Sequence, residues 1–253
     1  MNSKQRLPQR IALFSDFGEA GPYTGQMEAV LLNQGVRVPI IRLMSDAPSC
    51  DPRAAAYLFA PLSKYLPNDT LFLAVVDPGV GGPRLPLLVQ TGDHWFVGPD
   101  NGLFSQVLKQ GPNVSVQAID WRPGRLSASF HGRDLFAPVA AAVAQGRRVP
   151  LRPVETAELI GDGWPDQLSE VIYIDHYGNA YSGISAGSIT DDAVILLDTI
   201  EIGYTRTFSD MVEGQPFWYR NSIGLVEIAV NRGRADRLLG LEIGQPFSVS
   251  APV

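Results

Sequence analysis

Residues able to do chemistry gather in a few short stretches. Ser15-Asp16-Phe17-Gly18 follows one apolar run and Asp77-Pro78-Gly79-Val80-Gly81-Gly82-Pro83-Arg84 follows another, while Phe130-His131-Gly132-Arg133-Asp134 stands immediately before a third. An aspartate placed after a strand can cap a helix or close a turn. In an open α/β sheet it can equally face the crevice outside the strands' carboxyl ends, where ligands bind. Asp16 and Asp77 are candidates for one such crevice. Histidine, arginine and aspartate crowded around a glycine at a helix start are costly unless they serve one another or a ligand. A capping Asp134 leaves His131 and Arg133 unexplained. With only three histidines and one cysteine in 253 residues, few side chains can do acid–base work, and His131 lies in the densest cluster. Farther on, Asp175-His176-Tyr177-Gly178-Asn179 and Asn221-Ser222-Ile223-Gly224-Leu225-Val226-Glu227 are suited to a purine edge, since an Asn amide both donates and accepts. They are also common turn residues.

Better-known signatures match only in part. Gly183-Ile184-Ser185-Ala186-Gly187 fits a nucleophile elbow, but that arrangement needs a histidine after the serine, and His94, His131 and His176 all precede it. A Gly/Ser turn is the expectation there. Gly79-Val80-Gly81-Gly82 lacks the third glycine of a dinucleotide loop, where Arg84 stands instead, and there is no Walker A sequence. Gly98-Pro99-Asp100-Asn101-Gly102 reads as a turn and as a wall of the crevice.

The elements that must position these residues alternate. Ile11–Phe14 predicts a buried strand, residues 23–33 a helix, 38–43 a strand and 52–66 a helix. The continuous apolar run over 70–76 predicts a strand covered on both faces. This order predicts an α/β fold with a mainly parallel sheet and right-handed crossovers. The run from Leu135 to Ala144, which contains Pro138, reads as a buried helix and is too short for the roughly 18–20 residues that cross a bilayer. After Gly146 the texture changes to a loop rich in Arg, Pro and Gly, then to strand-like pieces at 171–174, 193–197, 200–207, 217–219, 225–230 and 247–249, with one helical stretch at 235–239. A larger N-terminal α/β domain, 1–160, and a smaller, mostly antiparallel C-terminal β-domain, 161–253, are expected.

Composition narrows the classes of function. With 45% hydrophobic residues and a net charge of −6, the chain can build a core, and neither disorder nor a broad phosphate-binding surface is expected. Nucleic acid and membrane are not expected partners. Cys50 has no partner for a disulfide, and one cysteine with three scattered histidines cannot build a Cys-rich zinc site. No metal is expected. The polar, basic opening, Met1–Arg10, lacks the apolar core of a signal peptide, so a cytoplasmic protein is expected.

Taken together, the clusters resemble the S-adenosylmethionine hydroxide adenosyltransferases, a family of S-adenosylmethionine hydrolases related to the fluorinase and chlorinase enzymes. The resemblance rests on the stretches 15–18, 75–81, 98–102, 130–134, 178–179 and 221–225 quoted above, with Tyr23-Thr24-Gly25-Gln26-Met27, in the family's order along nearly the whole chain. It implies hydrolysis of S-adenosyl-L-methionine to adenosine and L-methionine without metal or organic cofactor. It also implies a homotrimer with the substrate between the N-domain of one subunit and the C-domain of the next. Carried over residue by residue, it assigns catalysis to Asp77, Arg84 and His131, a set the halogenating relatives lack, which favours water over halide. By the same resemblance Asp16 holds the ribose hydroxyls, Asp175 and Ser222 the amino-acid end, and Asn179 the adenine edge. The chain departs from the pattern at Met44-Ser45-Asp46, where many relatives carry a Thr-His pair. It departs again at Cys50, near where halogenases place an aromatic, and Cys50 is read as a small wall or core residue. The alternatives are a non-catalytic adenosine or S-adenosylmethionine binding module and a serine hydrolase using Ser185, which the order of residues disfavours.

Overall fold

A computed structural model describes Arg6–Ser250. It divides into two compact units, one running through Ala60 and resuming over Leu66–Trp164, the other joining Pro61–Tyr65 to the chain from Pro165 onward.

The first unit follows the expected alternation: β1 (Arg10–Ser15), α1 (Tyr23–Asn33), β2 (Ile40–Met44), α2 (Pro52–Ser63) and β3 (Thr70–Val75). The chain continues through β4 (Pro86–Thr91), β5 (His94–Pro99), α3 (Ser105–Gln110), β6 (Ser115–Ile119), α4 (Ala137–Ala144) and β7 (Leu151–Pro153). These strands form one seven-stranded sheet in the order β2-β1-β3-β5-β4-β6-β7. Parallel pairing joins β1 to β2 and β3, and β3 to β5. Beyond β5 the ladders are antiparallel, because β4 and β5 are joined only by Gly92-Asp93, too short for a crossover. The turn needs its glycine, whose φ is +53°.

Side chains alternate across the sheet with the period of two that a strand imposes. Ile11, Leu13, Leu71, Leu73 and Val75 pack with Met27 and Leu31 of α1 and Val139 and Ala140 of α4. Phe14 and Phe72 meet Phe59 of α2 at ring separations of 4.6 and 5.5 Å, and Phe72 stacks on its register partner Phe96 at 5.0 Å. The apolar run at 135–144 is helical, but it enters through a π-helical turn at Gly132–Phe136 before α4 begins. Pro138 lies in the first turn of α4, where it has no N–H to offer the carbonyls of the π-helical turn before it. Because β2 and β3 lie on opposite sides of β1, the chain leaves the carboxyl ends of β1 and β3 in opposite directions and opens a crevice between them. Asp16 and Asp77 follow those two strand ends.

In the second unit, β8 (Leu168–Ile174), β9 (Ala180–Ser185), β12 (Pro216–Arg220) and β13 (Leu225–Val230) form an antiparallel sheet in the order β12-β13-β9-β8. A smaller antiparallel sheet contains β10 (Val194–Leu197), β11 (Ile200–Ile202) and β14 (Ser248–Ser250), and α5 spans Ala235–Leu239. Val171, Ile184, Ile195, Trp218, Ile228 and Phe247 share its core. The Gly183–Gly187 stretch is not a free turn: it is the end of β9 running into a short 3-10 turn at Ala186–Ser188, without the helix of a nucleophile elbow. Among the described residues, no helix is long and apolar enough to cross a membrane.

Candidate active site

Asp77 sits two residues beyond β3, and its loop returns on itself through backbone bonds from Val80 N to Asp77 O and from Gly82 N to Gly79 O, 3.2 and 3.0 Å. Gly81 has a φ of +82°, and a Cβ there would stand 2.7 Å from the Ala128 carbonyl oxygen. Only glycine lets the loop pass so close to the backbone. The loop brings Arg84 back onto Asp77: Nε donates to Oδ1 at 2.6 Å, and Nη2 donates to Oδ2. Both side chains are almost fully buried, 7% and 4% exposed. The same Nη2 lies 3.1 Å from Nδ1 of His131, and the guanidinium rests over the Phe136 ring at 5.5 Å.

A guanidinium has no acceptor, so Nδ1 of His131 must accept, and the neutral ring carries its proton on Nε2. Burial and then the charge of Arg84 hold His131 below the ordinary histidine range. Protonating Nδ1 would break its bond to Arg84. His131 itself is buried at the start of the π-helical turn, a feature frequent at functional sites.

Arg133 and Asp134, its neighbours in sequence, do other work. Asp134 accepts Nε and Nη2 of Arg133 at 2.6 and 3.0 Å and the Ser127 backbone N–H at 2.8 Å, while Nη1 of Arg133 donates to Gln26 of α1 at 2.9 Å. Asp134 therefore anchors the preceding loop and caps no helix end.

Asp16 joins the cluster electrostatically. Its Oδ2 accepts the Cys50 backbone N–H at 2.9 Å. Burial raises its pKa, backbone hydrogen bonds partly offset this, and the like charge of Asp77 raises it further. The 45–50 segment is tied to this loop by Gly18 N to Ser45 O, 2.6 Å, and Ala47 N to Ser15 O, 3.0 Å. Cys50 is exposed, not a core residue, and adopts a φ of +56°. Its side chain is turned out by the conformation that aims its N–H at Asp16.

Sequence reasoning assigned no role to Asn101. Its Nδ2 donates to the Val76 carbonyl at 2.7 Å, and its Oδ1 accepts the Leu103 N–H at 3.3 Å, bracing the strand end that bears Asp77. Phe17, Tyr23 and Phe130 pack together at ring separations of 5.2 to 5.7 Å. These residues and Asn101 all lie inside the stretches quoted from the sequence, but spacing along the chain does not show which groups they meet.

The second unit holds a cleft of about 630 Å³ lined in part by Asp175, Asn179, Tyr181, Phe208, Tyr219 and Glu227. Asp175 and Asn179 bond each other: Asp175 accepts the Asn179 backbone N–H at 2.9 Å and its Nδ2 at 3.2 Å. Ser222 is exposed on the loop between β12 and β13 and does not line the cleft. Glu227, which closes the 221–227 cluster of the sequence but has no role of its own there, is 1% exposed on the cleft floor. Its Oε1 accepts Tyr219 Oη at 2.5 Å and its Oε2 accepts Asn221 Nδ2 at 3.0 Å, with Tyr181 a third donor. Burial pushes its pKa up to about 7 against these stabilising bonds.

A buried Asp–Arg–His cluster at the switch point of an α/β sheet, in a chain with a separate antiparallel β-unit, defines a two-unit α/β class with its polar chemistry at the strand ends. Comparison with known proteins makes this particular. Residues 11–151 match the SAM hydroxide adenosyltransferase N-terminal domain and residues 169–248 the C-terminal domain. The chain belongs to the SAM hydroxide adenosyltransferase family. It is 35% identical to a Thermus thermophilus protein named (R)-S-adenosyl-L-methionine hydrolase, over 93% of this chain and 97% of that one. A protein of the same name from Salinispora tropica is 34% identical over 95% and 97%. Among solved structures, a conserved hypothetical protein of Thermus thermophilus superposes with a TM-score of 0.76 at 33% identity, covering 96% of this chain and all of that one. An uncharacterized conserved protein of Thermotoga maritima gives 0.79 at 28%, covering 94% and 99%.

Proposed function

We propose that the protein hydrolyses S-adenosyl-L-methionine to adenosine and L-methionine, with Asp77, Arg84 and His131 as its catalytic residues and no metal or organic cofactor. The observation that carries this is Arg84 bonded at once to Asp77 and His131 in a buried cluster. Family membership supplies the substrate class. Water attacks C5′; a C5′–O bond forms as the C5′–S bond breaks, sulfur keeps the electron pair and leaves as a neutral thioether, and water gives up one proton. A neutral leaving group needs neither an acid nor a Lewis acid, so the protein's task is to hold and activate water. The Nε2–H of neutral His131 can donate to the attacking oxygen, and Arg84 supplies positive charge as hydroxide character develops. Each Asp77 oxygen keeps a lone pair beyond its bond to Arg84, so Asp77 can orient the water and take its proton.

In the same reading Asp16 accepts the ribose hydroxyls, Asp175 meets the ammonium group, Asn179 reads the adenine edge with the part of its amide not given to Asp175, and Ser222 holds the amino-acid end. A homotrimer and a cytoplasmic location complete it. The trimer is supported by the family resemblance, and the placing of the catalytic groups in one unit and the proposed adenine and amino-acid partners in the other is compatible with it.

Incubation with S-adenosyl-L-methionine in oxygen-18 water, followed by mass spectrometry of adenosine, is the test. Label in the 5′-hydroxyl is expected, and binding without turnover would instead mark a sensor. Because His131 is held below the ordinary 6.5, the acid limb of kcat is expected below pH 6.5. An acid limb above that value would remove His131 from the assignment.

A further inference from the structure

Glu227 occupies a position that the proposed chemistry leaves unused. It lies mid-strand in β13, paired in register with Tyr219 on one side and Tyr181 on the other, so the three side chains stand abreast on one face of the sheet. A carboxylate can accept from all three of its donors at once; an apolar side chain could accept from none. The bond with the longest reach is the one to Asn221. With Nδ2 held by Glu227, Asn221 must turn Oδ1 toward its own loop, where it accepts the N–H groups of Ile223 and Leu225 at 3.1 and 2.8 Å. Asn221 is 8% exposed, so water cannot readily replace these partners. The loop is closed further by Asn221 N to Leu225 O at 2.9 Å and Gly224 N to Asn221 O at 3.0 Å, and it carries Ser222.

We propose that Glu227 is a positioning residue for substrate: it fixes the amide orientation of Asn221, which shapes the 221–225 loop, and it fixes the Tyr181 and Tyr219 hydroxyls that form the cleft floor. This rests on the reading that the protein acts on S-adenosyl-L-methionine. Glu227 touches none of the groups assigned to the chemical step, so its effect falls on binding.

The variant Glu227→Met removes every acceptor while filling the space. KM for S-adenosyl-L-methionine is expected to rise at least about tenfold with kcat within about twofold. In protein without substrate, amide hydrogen exchange at Ile223 and Leu225 is expected to quicken at least about tenfold. Glu227→Gln offers Asn221 an oxygen while the tyrosine hydroxyls turn to accept from its amide, so it is expected to restore both readouts to within about threefold of wild type. If circular dichroism shows that Glu227→Met does not fold, Asn221→Ala severs the same link from the loop end, with the same two effects expected. Wild-type KM and exchange in the Met variant, or a fall in kcat with KM unchanged, overturns the proposal. Absence of turnover by the wild-type protein would instead defeat the functional reading, and the exchange result would still decide whether Glu227 orders the loop.

Discussion

In the first unit Asp77 is buried against the guanidinium of Arg84, whereas in the second unit Glu227 is buried against two tyrosine hydroxyls and an asparagine amide. Both carboxyl groups are withdrawn from water, but only the first has an opposite charge beside it. The neutral donors around Glu227 do not offset burial, and its pKa rises to about 7. Around Arg84 the fixed cation acts outward as well, pushing His131 down and keeping its Nδ1 free to accept. At Glu227 burial outweighs the bonds from its neutral donors, so this carboxyl changes charge near neutral pH.

The comparison breaks most readily at Arg84. Arg84→Met keeps the bulk but strands Asp77 as an uncompensated buried carboxylate, and a loss of about 3–5 kcal/mol in urea unfolding is expected. Turnover is expected to fall at least about a thousandfold. Turnover within tenfold of wild type would show that the cation is not needed.

A smaller effect tests the other cluster. The folded protein holds a proton on Glu227 up to about pH 7, while the unfolded chain releases it near 4.5, so stability falls as pH rises through that window. Measured as the difference between wild type and the non-titrating Glu227→Gln, the fall is expected to be roughly 3 kcal/mol between pH 4.5 and pH 8. A flat difference would place Glu227 with ordinary carboxylates. Smallest is Asn101→Ala, which unties the Val76 carbonyl behind Asp77. About 1–2 kcal/mol of stability and about tenfold in kcat are expected to go, with KM unchanged, because the strand end and not the substrate loses its partner. Equal losses in kcat and KM would argue that Asn101 meets substrate.

Much of this was legible before the fold was known. The strand and helix alternation through β3 shows in the apolar periodicity, and β1, α1 and β3 lie where it placed them. The β4–β5 hairpin was not legible, because its strands are nearly all apolar and its Gly-Asp turn resembles many loops. Strand β9 was hidden by the Gly and Ser that read as a turn. Glu227 left a faint signal, a single charge in Leu-Val-Glu-Ile-Ala-Val with tyrosines in nearby strands, but its partners come from β9 and β12 and only register brings them together.

Sequence by itself determined what is local: the periodicities that make strands and helices, the glycine that lets the Asp77 loop turn, and the seven-residue span that allows Arg84 to fold back on Asp77. Tertiary structure decided what depends on distant segments meeting. It placed β1 beside β3, so that Asp16 feels the charge of Asp77, and brought His131 to Arg84 across 47 residues, which settles the tautomer. It also gave Glu227 neutral donors in place of a cation. The physical reason is that a hydrogen bond has a reach of about 3 Å, and which donor falls within it is settled by sheet order and register, to which no single stretch of chain has access.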